Sequence, residues 1–84
     1  MMYQIVDMAL APNDVYISSR NFHGTLHEVY IDVRDTACTL ARCEELTKEI
    51  KTYVDMSKNE DGYPVAEIYN QDGKCFHQIL VRRN

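Results

Sequence analysis

The dipeptide Asp72-Gly73 separates two strand-like runs, Tyr63–Asn70 and Lys74–Arg82. Asp-Gly between such runs is among the strongest short-range signals for a β-hairpin, because glycine accepts the positive φ that tight turns require. The register depends on the loop. A two-residue turn sets Tyr69 opposite Phe76, and a three-residue turn with Gly73 in the left-handed region sets Ile68 opposite Phe76. A slip of one residue reverses every side chain to the other face.

Upstream, Tyr3 to Leu10 alternates, with Val6, Met8 and Leu10 on one side and Tyr3, Ile5 and Ala9 on the other, as in a strand. Pro12-Asn13-Asp14 reads as a turn, Val15 to Ser19 as a second strand, and Asn21-Phe22-His23-Gly24 as a connection. Thr25 to Arg34 alternates again, with His27, Val29, Ile31 and Val33 opposed to Leu26, Glu28, Tyr30, Asp32 and Arg34. Period two predicts a half-buried antiparallel strand there.

Asp35-Thr36 is read as the N-terminal cap of a helix whose apolar stripe is Ala37, Leu40, Cys43, Leu46, Ile50, Tyr53 and Val54. Glu44 and Lys48 stand four apart in the favourable order. The helix is expected to end near Ser57 to Asn59, before the loop Asn59-Glu60-Asp61-Gly62 and Pro64. The expectation is one α+β domain over residues 1–84. It has a five-stranded, mainly antiparallel sheet with one helix packed on one face, in the order β-β-β-α-β-β. One helix covers one sheet face, so the other face of the terminal hairpin is either an exposed interface or is buried by the first strands curling over it.

With 84 residues, the chain has room for a modest core and little else. No basic, apolar leader and no bilayer-length apolar run is seen, and three cysteines make an odd set. These features predict a cytoplasmic protein with reduced thiols and no membrane partner. A net charge of −4 argues against direct nucleic-acid binding and suits a basic protein surface.

Chemical motifs are sparse. His23, His27, Cys38 and Cys43 offer soft ligands, but at no standard zinc spacing, and Cys43 lies on the expected core stripe. Cys75 and His77 stand two apart on one strand, so they share a face and could form a thiolate pair, with no orienting third group nearby. Packing explains both sets, so no catalytic residue, metal ligand or cofactor is expected.

The acidic and tyrosine residues remain. Glu44, Glu45, Glu49 and Asp55 are expected on the outer side of the helix, and Glu28 and Asp32 on the open sheet face around an outward Tyr30. Tyr69 joins them on a strand. Tyrosine supplies contact area and a hydrogen bond at low entropic cost. In size, charge and fold class, and in no motif, the chain is similar to the small acidic α+β inhibitors of phages and mobile elements, including anti-CRISPR proteins. The leading expectation is a non-enzymatic inhibitor that occludes the basic nucleic-acid-binding surface of a larger protein, such as a defence complex. A homodimer pairing through the terminal hairpin is the second reading. A small Cys/His enzyme or zinc module is the third.

Overall fold

The computed structural model describes residues 1–11 and 15–84. The Pro12-Asn13-Asp14 turn lies outside the described residues. Strands β1 (Met2–Ala9) and β2 (Tyr16–His23) precede helix α1 (Leu26–Lys48), and β3 (Thr52–Lys58), β4 (Pro64–Asn70) and β5 (Cys75–Arg83) follow it. The strands form one antiparallel sheet in the order β2-β1-β5-β4-β3. The class is α+β with five antiparallel strands and one helix, as the sequence predicts, but the chain order is β-β-α-β-β-β.

The difference begins at Thr25. Residues 26–34 are the first nine residues of the helix and not a strand. Alternation at Val29, Ile31 and Val33 mimics period two, yet Val29, Val33, Ala37 and Ala41 recur every four residues and are the buried helix positions. Ile31 is 43% exposed, so it was never part of the stripe. Thr25 and Glu28 form a capping box: the Thr25 hydroxyl accepts from the Glu28 N–H at 3.1 Å, and the Glu28 carboxylate accepts from the Thr25 N–H at 3.0 Å. That reciprocal pair satisfies two otherwise orphaned donors and fixes the helix start ten residues earlier than Asp35.

The helix also ends early, at Lys48, with Glu49 in the left-handed region at φ 55° and its N–H bonded to the Glu45 carbonyl. The expected stripe therefore breaks up. Ala37 is buried and Leu40 packs against the core, but Cys43 is exposed and Leu46 is 75% exposed, while Tyr53 and Val54 belong to β3. Thr52-Tyr53-Val54 is β-branched and aromatic, a composition that favours an extended chain over a helix. Strand β2 likewise runs through Asn21-Phe22-His23, where a connection is expected from the sequence.

Helix side chains Val29, Val33, Ala37 and Ala41 meet Tyr3, Ile5, Ala66, Ile68, Phe76, Ile79 and Val81 in a single core. The helix lies nearest β3 and β4. Both hairpin registers occur. Tyr69 faces Cys75, as a three-residue loop with Gly73 at φ 80° requires, and then a bulge sets Ile68 opposite His77 and Ala66 opposite Ile79. The extra residue is Phe76, which is 2% exposed and joins the core. A bulge places two residues of one strand against one of the other, which lets Phe76 and His77 both be buried.

Candidate functional site

The helix occupies one sheet face, and no described element covers the other. Directly paired residues of antiparallel strands share a face, so the register maps the uncovered side. One row reads Ser57, Val65, Leu80, Val6 and Ser19 from β3 to β2. The next reads Asp55, Glu67, Gln78, Met8 and Ile17. A third holds Tyr53, Tyr69 and Cys75. Val6, Met8, Val65 and Leu80 are only half-buried, and Ile17 is 71% exposed. A shallow groove of about 560 Å³ runs along Val6, Met8, Ile17 and Leu80 to Arg82. The centre of this face is thus apolar, an uncommon surface for a small domain to leave open.

Its β3–β4 corner has a different chemistry. Tyr53 stands opposite Tyr69, and Asp55 opposite Glu67. Tyr53 is 59% exposed. The Tyr69 hydroxyl donates to the Glu67 carboxylate at 3.2 Å. Desolvation of the ring's surroundings, that hydrogen bond and the nearby negative charge of Glu67 push the Tyr69 phenol above its ordinary range, so it stays a neutral donor. Two carboxylates facing each other across a strand pair repel. This arrangement suits a cation arriving from outside, with carboxylates for its charge and ring faces for its flank.

Of the residues expected at a partner surface, Tyr69 and Asp55 lie on this face. Glu28, Tyr30 and Asp32 are on α1, not on an open strand face. Glu28 is committed to the capping box, and its hydrogen bonds from Thr25, backbone first, hold its carboxyl below the usual range. Tyr30 is half-buried, in a cavity of about 420 Å³ with Leu26, His27, Lys58, Gly62 and Pro64. Asp32 pairs with Arg20 of β2. Glu44 pairs with Lys48 at 3.2 Å, the spacing read from the sequence. Glu45 accepts from the Thr52 hydroxyl at 2.8 Å and the Thr52 N–H at 3.1 Å, which lowers its pKa and clamps the helix end to β3. Glu49 is the helix C-cap. Asp55 is on β3 rather than on the helix, and it enters the site with Glu67 and Tyr53 for that reason.

The register also separates the Cys75–His77 pair. Cys75 faces Tyr69 on the uncovered side, whereas His77 faces Ile68 on the helix side, because the bulge at Phe76 intervenes. The Cys75 thiol donates to the His77 carbonyl at 3.4 Å, and the His77 ring pairs with Asp7 and stands edge-on to Tyr16 at 6.3 Å. Cys38 and Cys43 are exposed on α1. Among the described residues, no group of three or more His, Cys, Asp or Glu side chains converges to hold a metal ion. No described helix is long and apolar enough to cross a membrane. No protein family, curated protein or solved structure matches the chain.

Proposed function

We propose that the chain is a non-catalytic binding domain that acts by occlusion, laying the uncovered sheet face over a basic surface of a larger protein. The observation that carries this reading is the facing pair Asp55 and Glu67, set beside the facing pair Tyr53 and Tyr69 on that face. A sheet stabilised for its own sake would alternate charges there. The apolar centre formed by Val6, Met8, Val65 and Leu80 supplies the desolvated area that a charge pattern alone lacks. Arginine and lysine side chains that ordinarily grip phosphates are the complementary chemistry. The partner class is therefore a nucleic-acid-binding protein whose site is masked, the mode of action of an anti-defence inhibitor.

The test is affinity capture from a host lysate with the wild-type chain and with Asp55→Lys/Glu67→Lys, followed by a nucleic-acid-binding assay on the captured protein. The expected result is a partner retained by the wild type, lost by the variant, and blocked from its nucleic acid by the wild type. Partners that survive the charge reversal, or that bind nucleic acid unimpeded, would refute the reading.

Dimerisation through the terminal hairpin has little structural room as strand addition. Strand β5 lies between β1 and β4, and β4 between β5 and β3, so neither has an open edge.

A further inference from the structure

Two strands do have an open edge, and they differ. Strand β3 carries Asp55 and Lys58, charges of the kind that discourage pairing with another chain. Strand β2 carries a single such charge, Arg20, and no other device of that kind. It runs for eight residues, Tyr16-Ile-Ser-Ser-Arg-Asn-Phe-His23, with no proline and no lysine. It pairs with β1 in unbroken register from His23 opposite Met2 to Tyr16 opposite Ala9, with no bulge. Its one formal charge at neutral pH, Arg20, is already paired with Asp32 of α1. Val15, just before the strand, is 70% exposed, and Tyr16 and Ile17 at its start are 48% and 71% exposed. An edge strand presents a row of unpaired N–H and C=O groups, and here the row is eight residues long and free of proline, lysine and bulge.

We propose that β2 is a dimer edge, occupied by the β2 strand of a second copy running antiparallel to it. The sequence of the strand selects both the occupant and the register. In a two-fold pair, residues equally spaced about one central residue face each other. Centring on Arg20 sets two guanidinium groups opposite each other. Centring on Ser18 pairs only residues 16–20 and leaves Phe22 beyond the overlap. Centring on Ser19 pairs residues 16–22. Ser19 then faces its own copy, Arg20 faces the Ser18 hydroxyl, an acceptor, and Tyr16 faces Phe22. Aromatic cross-strand pairs stabilise a sheet, and no like charges meet. Because paired residues share a face, the two sheets join into one, with both helices on the same side. The β3–β4 corners then lie at opposite far ends and remain open, so the assembly presents two copies of the acidic and tyrosine patch. This dimer uses neither Asp55 nor Glu67, and it stands or falls independently of the partner proposed for them.

The test uses the full chain. In a Cys38→Ser/Cys43→Ser/Cys75→Ser background, Ser19→Cys is expected to give a disulfide-linked dimer under mild oxidation, since facing residues of antiparallel strands are about 4.5–5.5 Å apart at Cα. Asn21→Cys in the same background is the control. Its two copies are offset by about 14 Å along the strands, beyond the reach of a disulfide, and it is expected to stay unlinked. Analytical ultracentrifugation of the wild type from micromolar to submillimolar concentration is expected to show dimer, and Ser19→Asp monomer, with circular dichroism unchanged. Asp55→Lys/Glu67→Lys is expected to dimerise as the wild type does. A wild type that is monomeric throughout, a Ser19→Asp variant that still dimerises, or Asn21→Cys linking as readily as Ser19→Cys would each overturn the proposal.

Discussion

Asp55 of β3 faces Glu67 of β4 across the uncovered side of the sheet, with no residue between them in the pairing register. Like charges directly opposite destabilise a strand pair by a few tenths to about 1 kcal/mol. Asp55→Lys is therefore expected to raise stability by about 0.5 kcal/mol, read as a higher urea midpoint at unchanged slope. The same substitution should weaken partner binding. A variant that is less stable than the wild type would show that the facing pair carries no repulsion.

Thr25 anchors the helix through the capping box with Glu28. Thr25→Ala removes the acceptor for the Glu28 N–H and is expected to destabilise the chain by about 1 kcal/mol, whereas Thr25→Ser should cost little. Equilibrium denaturation of the two variants checks this. Equal losses from both would place the effect in the threonine methyl group rather than in the cap.

This cap also explains what the sequence made legible and what it did not. The signature Thr-x-x-Glu stands at 25–28, but it goes unread beside the alternation from His27 to Val33, because valine and isoleucine favour strands on propensity alone. The four-residue recurrence of Val29 and Val33 becomes decisive only when Ala37 and Ala41 are seen to continue it. The terminal hairpin was readable because Asp72-Gly73 acts locally, and Gly73 does adopt positive φ. The bulge at Phe76 was not, since nothing near Phe76 distinguishes it until Ile68 and His77 must both be buried. The site moved for the same reason. Once residues 26–34 are helical, Glu28 caps the helix and Asp32 ties it to Arg20 of β2, and the open face passes to β3 and β4, which carry Tyr69, expected on a strand, and Asp55, expected on the helix.

Glu28 and Glu45 link stability to pH. Hydrogen bonds from Thr25 and from Thr52, respectively, hold both carboxyls below the ordinary value of 4.5. A carboxyl with a depressed folded-state pKa contributes stability that is fully present above its unfolded value and is lost as pH falls through its folded value. The chain is thus expected to be flat in stability near neutrality with respect to these two groups and to lose their contribution progressively as pH falls below about 4.5. Glu28→Gln and Glu45→Gln should each flatten part of that acid limb while leaving its other contributors. An acid limb unaltered in both variants would exclude the two carboxyls as its source.

Among the described residues, the polar or charged side chain buried in the fold is His77, which is 4% exposed and is held by Asp7, whose own side chain is 24% exposed. Asp7 faces Ile79 and His77 faces Ala9, so the two groups meet diagonally between the neighbouring strands β1 and β5 on the helix side. Removing one member of such a pair leaves the other desolvated and without its partner, which is worse than removing both. Asp7→Leu and His77→Leu are each expected to lower stability by about 2 kcal/mol, toward the low side because Asp7 retains access to water. The double variant should lose much less than the sum of the two, since leucines at both positions would extend the core beside Ile5 and Ile79. A double-mutant cycle by chemical denaturation measures the coupling directly. Strictly additive losses would mean that Asp7 and His77 are stabilised by their separate surroundings and not by each other.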